Sequence, residues 1–278
     1  MKCPATISTA LILAQCVSLH AVANDYPQVD SNVPYAKVSA LAVKSADERV
    51  PYGPDPLQYA AVWRPAEELS TSSKVVVLVH GGCWLNAYDM QHSYALSTAL
   101  AQDGFVVWSL EYRRTGDPGG GWPGTFNDVL AGIEKLASYA PLSLHQAVII
   151  GHSAGGHLSL LAGGRLPQVR GVIGLAAITD IVDYAQGENS CQQVTDDFMG
   201  ATPAEAEMFY KQANPVNQPL HARTVLLQGD ADTIVPLQQA SRLPLVPQIE
   251  TGAGHFDWIH PGSAAYQRLI TNLQEMFE

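Results

Sequence analysis

A serine hydroxyl is a weak nucleophile at its ordinary pKa, so serine chemistry needs an exposed hydroxyl with a base beside it. Gly151-His152-Ser153-Ala154-Gly155 offers the first of these: it follows an apolar run at 146–150 and precedes a segment, 154–161, able to start a helix at once. Gly-x-Ser-x-Gly at a strand-to-helix junction makes a sharp turn that presents the serine. Small residues also populate ordinary turns, and the flanking strand and helix favour the chemical reading. A second Gly-rich stretch, His80-Gly81-Gly82-Cys83-Trp84, follows the branched apolar run 74–79. Glycines there free successive N–H groups to converge on an oxyanion, and one such donor contributes about 3–4 kcal/mol in a transition state. The N–H groups of Gly82, Cys83 and Ala154 are the expected oxyanion hole. His80 reads as a residue that holds its loop. Trp84 is a candidate to line the substrate pocket, with plain packing as the alternative.

The acid and base should follow Ser153 in that chain order. Gln228-Gly229-Asp230-Ala231-Asp232 leaves an apolar run and offers two carboxylates, one of which would be free to bond its own turn. In Gly252-Ala253-Gly254-His255-Phe256-Asp257, glycines give His255 a loop able to reach Ser153. His260, beside Pro261 and without that approach, is expected to be an ordinary surface residue. His152 and His157 flank the nucleophile without standing where a base would. No Cys, His and carboxylate spacing matches a metal-ligand pattern, and the chemistry calls for neither metal nor cofactor.

With these motifs in order, the sequence resembles the α/β-hydrolases of the esterase/lipase and kynurenine formamidase-like group. It is most similar to the feruloyl and acetyl-xylan esterase-like branch, which Tyr112-Arg113-Arg114 and Gly121-Trp122-Pro123 also resemble. The resemblance spans about residues 50–278 and implies Asp232 as the triad acid, through the pattern Gly-x-x-Asp-x-x-Val-Pro. It implies a catalytic role for His255 in its loop. It further implies hydrolysis of small-molecule or acylated carbohydrate esters, with formamidase-type amide cleavage, a small peptidase or a non-catalytic binding module as alternatives. Cys83 departs from the pattern, since many relatives carry Gly or an aromatic residue there. Arg113 and Arg114 are read as partners of structural carboxylates, and Tyr112 and Trp122 as core or wall.

Positioning such a set takes a sheet whose strand ends converge on one edge. Strands are expected at 74–80, 105–110, 146–150, 171–175 and 224–227, and at 245–249 on an edge because of Pro247. Helical spacing covers 94–101, 125–138 and 263–277. The alternation predicts an α/β fold: an α/β-hydrolase with a mostly parallel sheet, helices on both faces and antiparallel edge strands from the N-terminal part, including 57–63. Residues 181–222 break the rhythm and are expected to form a small cap inserted over the carboxyl edge of the sheet.

The 278 residues suffice for one large domain, and 47% apolar against 15% charged residues suits a compact enzyme. A formal net charge of −11 argues against a nucleic-acid partner. Residues 1–23 read as a signal peptide. Lys2 is the positive end, the stretch 5–19 is apolar but too short for a stable membrane span, and Ala21-Val22-Ala23 predicts cleavage before Asn24. The mature domain would then be residues 24–278, periplasmic or secreted. It would retain only Cys83 and Cys191, a pair able to bridge in an oxidising compartment but not obliged to by their spacing.

Overall fold

A computed structural model describes residues 25–278; the expected signal peptide lies outside the described residues. Strands β1 (Glu48–Pro51), β2 (Tyr59–Trp63), β3 (Val75–Val79), β4 (Val106–Leu110), β5 (Ala147–His152), β6 (Gly171–Leu175), β7 (Thr224–Gly229) and β8 (Gln248–Glu250) form one sheet in the order β1-β2-β4-β3-β5-β6-β7-β8. β1 and β2 are antiparallel to their neighbours, and all pairings from β4 to β8 are parallel.

Strand residues point alternately to opposite faces, and β3 shows what this does. Val75, Val77 and Val79 enter one apolar core, with Val129 and Ile133 of α3 (Gly124–Lys135) and Leu158 and Leu161 of α4 (Ala154–Arg165). Val76 and Leu78 enter the other, with Leu96 and Leu100 of α2 (Tyr94–Gln102) and Leu269 and Leu273 of α10 (Ala264–Phe277). A strand buried on both faces has no polar alternation to display, which is why 74–80 reads as one continuous apolar run. Each such buried aliphatic side chain stabilises the fold by roughly 1.5–3 kcal/mol.

The remaining helices are short: α1 (Tyr35–Ser39), α5 (Ile181–Tyr184), α6 (Ser190–Gln193), α7 (Thr195–Met199), α8 (Glu207–Ala213) and α9 (Leu237–Ala240). Four of them, α5 to α8, fill the segment between β6 and β7 that was expected to form the cap.

Two elements differ from expectation. β5 runs two residues further, because Gly151 and His152 continue the parallel ladder opposite Gly174 and Leu175. The strand expected at 245–249 starts only at Gln248, pairing with Leu227 at the sheet edge. Pro247, immediately before it, has no N–H to give to a ladder. β1 was not separately legible, since only Val50 of its four residues is buried.

Candidate active site

Ser153 sits between β5 and α4 with φ 58° and ψ −122°, a strained left-handed conformation for a side-chain-bearing residue. Such strain costs on the order of 1–3 kcal/mol and persists only where surrounding contacts impose it. The Ser153 N–H donates to the Leu175 carbonyl at 2.9 Å, and its carbonyl accepts from the His157 N–H at 3.1 Å. Gly155 lets the start of α4 lie against the end of β3: a Cβ there would lie 2.2 Å from the Val79 carbonyl oxygen and 2.3 Å from that of His80.

The loop after β3 lies against this turn. A Cβ on Gly81 would stand 2.9 Å from the His152 carbonyl oxygen and 3.2 Å from the Ser153 Cβ. Gly82, Cys83 and Trp84 then take three consecutive positive φ values, 109°, 53° and 58°. Among the described residues the N–H groups of Gly82 and Cys83 donate to no protein acceptor. Ala154 is the first residue of α4, where an N–H has no partner within the helix. These are the three expected oxyanion donors.

A buried ionic network underlies the loop. The Glu111 carboxylate faces His80 Nε2 at 3.2 Å and Arg114 Nη1 at 3.1 Å, and accepts from the Met90 N–H. Burial pushes the Glu111 carboxyl up, but its His80 and Arg114 contacts outweigh this and hold it below the usual range. His80 is stacked on Tyr112 at 4.3 Å, and the Tyr112 hydroxyl donates to the His80 carbonyl. His80 thus holds its loop, as expected. Arg113 grips Asp128 through two nitrogens at 2.8 and 2.7 Å, again a structural pairing. Trp122 packs on Phe126 and Phe198 as a wall residue.

Asp232 and His255 meet in the loops after β7 and β8: His255 Nδ1 lies 2.8 Å from Asp232 Oδ2. Both are buried, at 8% and 7% exposure. The other carboxylate oxygen, Asp232 Oδ1, accepts from the N–H groups of Ile234 and Val235 at 2.8 and 2.9 Å. Asp230 stands outside the site, exposed. It was expected to bond its own turn; instead it accepts from the Gly252 N–H of the His loop.

His152 ties the Ser153 turn to His255. Its ring is 4.5 Å from that of His255, and its Nε2 lies 2.9 Å from the His255 carbonyl. That nitrogen must carry the proton, so Nδ1 accepts from His92 Nε2 at 3.1 Å. His92 Nδ1 is left buried without a partner. Burial, then the neighbouring histidines, lowers the pKa of His152 well below its usual value and that of His92 to about 3, so both are neutral.

Two expectations need correction. His260 is 1% exposed, no surface residue, because its Nδ1 accepts from the Gly262 N–H inside the turn that leads to α10. Trp84 presents no open face; 1% exposed, it stacks on Phe198 at 4.7 Å and meets His157 and Tyr184 edge-on. Sequence reasoning missed Asp257, whose buried carboxylate accepts from the N–H groups of Asn32, Val33 and Gly254 and so fixes the His255 loop. A carboxylate two residues after a candidate base was the available signal. Glu111, directly before Tyr112-Arg113-Arg114, was missed likewise.

Cys83 and Cys191 are joined as a disulfide, which answers the pairing that spacing left open. A polar cleft of about 270 Å³, lined by Tyr35, Asn86, Tyr88, Asp89, Gln91 and His92, opens beside the oxyanion loop. Among the described residues there is no cluster of potential metal ligands, and no helix long and apolar enough to cross a membrane.

The sequence matches the BD-FAE family over residues 62–245. It is 27% identical over 245 residues to Esterase LipC of Mycobacterium tuberculosis, an alignment covering 74% of this chain and 59% of LipC. This chain therefore spans well under two thirds of that relative's length. Among solved structures, Esterase B from Lactobacillus rhamnosis superimposes with a TM-score of 0.70 at 15% identity, covering 87% of this chain and 90% of that one. A truncated carbohydrate esterase from gut microbiota gives 0.66 at 20% identity, covering 84% and 97%. At these identities both likenesses speak for the fold alone.

Proposed function

The chain belongs to the BD-FAE family, and on that premise we propose that it hydrolyses carboxylic esters through a covalent acyl-enzyme. The observation that carries this reading is the 2.8 Å bond between His255 Nδ1 and Asp232 Oδ2, made with the His255 ring 4.5 Å from that of His152, the residue directly before a serine held at a strained turn. Asp232 fixes the tautomer of His255, leaving Nε2 free to take the Ser153 proton as Oγ attacks the ester carbonyl. The N–H groups of Gly82, Cys83 and Ala154 receive the negative charge that develops on the carbonyl oxygen. His255 then returns the proton to the departing alcohol. Water, activated by the same base, hydrolyses the acyl-serine and releases the acid.

The substrate in this reading is a small acyl ester, including an acyl group carried by a carbohydrate. The polar cleft supports the carbohydrate part, because its lining by Asn86, Tyr88, Asp89 and Gln91 gathers amide, hydroxyl and carboxylate groups of the kind that meet sugar hydroxyls. Export belongs to the same reading. It is supported by the signal-like residues 1–23 and by the Cys83–Cys191 bridge, a bond that persists mainly in oxidising compartments.

Fluorophosphonate labelling tests the mechanism: wild type labels and Ser153→Ala does not. Full esterase turnover by Ser153→Ala would sink the assignment. For the cleft, Tyr88→Ala should raise KM for an acetylated xylo-oligosaccharide several-fold while leaving p-nitrophenyl acetate unaffected.

A further inference from the structure

The segment between β6 and β7 touches the site at two places, on opposite sides of Ser153. Cys191, in α6, is covalently joined to Cys83, whose N–H is one of the oxyanion donors assigned above. Asn189, the N-cap residue of the same helix, donates its amide to the Ile234 carbonyl at 2.9 Å and the Thr233 carbonyl at 3.4 Å. Those carbonyls belong to the loop whose Ile234 and Val235 N–H groups hold Asp232. Tyr184, at the end of α5, adds its hydroxyl to the Ile234 carbonyl at 3.1 Å.

α6 can transmit position between its two ends. Asn189 and Gln192 form a reciprocal capping box, so the amide reaching the acid loop belongs to a side chain whose oxygen is already fixed by the Gln192 N–H. Cys191 lies within that same turn. The segment is further secured by Phe198, whose ring stacks on Trp84 and whose carbonyl accepts from the Trp122 N–H.

We propose that α6 is a fixed brace and not a mobile lid: the Cys83–Cys191 bridge and the Asn189 amide together hold the oxyanion loop and the Asp232 loop in register across the nucleophile. This rests on the ester-hydrolase reading and adds to it two positioning residues, Cys191 and Asn189, that touch no reacting atom. Three consecutive positive φ values at Gly82, Cys83 and Trp84 mean the loop is not held by its own backbone preference. A covalent tether at its middle residue supplies that restraint.

The test compares folded wild type before and after dithiothreitol with Cys191→Ser, Asn189→Ala and the double variant, using p-nitrophenyl acetate. Reduction moves two electrons and two protons from dithiothreitol to the bridge, and the reagent closes to its cyclic disulfide. Rates are expressed per active site titrated with a fluorophosphonate, so that lost folded protein does not register as lost catalysis. Reduced wild type and Cys191→Ser should each lose about tenfold in kcat with KM within twofold, short of the 10²–10³ lost when an oxyanion donor is removed outright. Reoxidation should restore wild type, and Cys191→Ser should ignore the reductant. Asn189→Ala should lose about threefold, and the double variant should lose less than the product of the single losses, as coupled parts of one device do.

Unchanged kcat per titrated site in both reduced wild type and Cys191→Ser would overturn the brace. If Cys191→Ser does not fold, the reduction arm decides alone. A wild type that fails to label with fluorophosphonate would instead remove the ester-hydrolase reading.

Discussion

The two sides of Ser153, the proposed nucleophile, are held in place by different physics. On the base side, a neutral chain runs from His92 through His152 to the His255 carbonyl, while Asp257 gathers three backbone N–H groups around the same loop. These are hydrogen bonds, the farthest reaching 225 residues along the chain, around a His255 loop whose φ is positive only at Gly252. On the oxyanion side the backbone is left-handed at three residues running, and what holds it is the Glu111 carboxylate, shared by Arg114 and His80 below it, and one covalent bond, the disulfide to Cys191. A strained loop needs restraint from outside itself, whereas a relaxed one needs only its polar groups matched.

The sharpest way to break the base side is Asp232→Asn, which keeps the shape and removes the charge that orients His255. Loss of a triad carboxylate in this manner lowers kcat by roughly 10⁴. Steady-state kinetics with p-nitrophenyl acetate should show this at nearly unchanged KM. On the oxyanion side the corresponding break is Glu111→Ala. It takes the carboxylate partner from buried His80 and leaves Arg114 with Asp117 alone, and removing one partner of a buried pair costs up to about 3–5 kcal/mol. Urea unfolding should register that loss. Asp257→Asn should be milder. It turns an amide donor towards backbone N–H groups that wanted an acceptor, which costs roughly 1–3 kcal/mol. It should also lower kcat, because His255 sits two residues away.

The same contrast governs what could be read from the sequence. Ser153, His255 and the parallel strands were legible because glycine spacing and continuous branched apolar runs are local signals with one structural meaning. Strand β1, with one buried residue of four, carried no such signal. Asp257 and Glu111 were overlooked because a carboxylate's function as a backbone anchor depends on partners 225 and 21 residues away, Asn32 and Met90. Trp84 was ambiguous by nature: an aromatic residue after a Gly-rich loop can line a pocket or simply pack, and Phe198, brought in by α7, selects packing. His260 shows the converse error. Its neighbours Pro261 and Gly262 look like a surface turn, yet the turn is folded inward.

Acid separates the two sides by a slope with pH. His157 lies on the oxyanion side, edge-on to Trp84 and Phe198 with Nε2 against the Ala213 carbonyl, and burial lowers its pKa to about 4. His92 on the base side is lowered to about 3, again mainly by burial. Both are neutral when folded, while the unfolded chain takes up protons near the ordinary histidine value of 6.5. The unfolded state therefore binds more protons below that pH, and stability falls as pH drops. Each histidine contributes about 1.4 kcal/mol per pH unit, starting near 6.5 and ending at its own folded value. Gln in place of either histidine keeps a donor amide but cannot titrate. His157→Gln should thus flatten the pH dependence of unfolding free energy between about 6.5 and about 4 only, whereas His92→Gln should flatten it down to about 3. Urea titrations at successive pH values would read both slopes. Variants that keep the full wild-type slope across the window would show that neither ring is held neutral by its surroundings, and the tautomer chain behind His255 would fall with it.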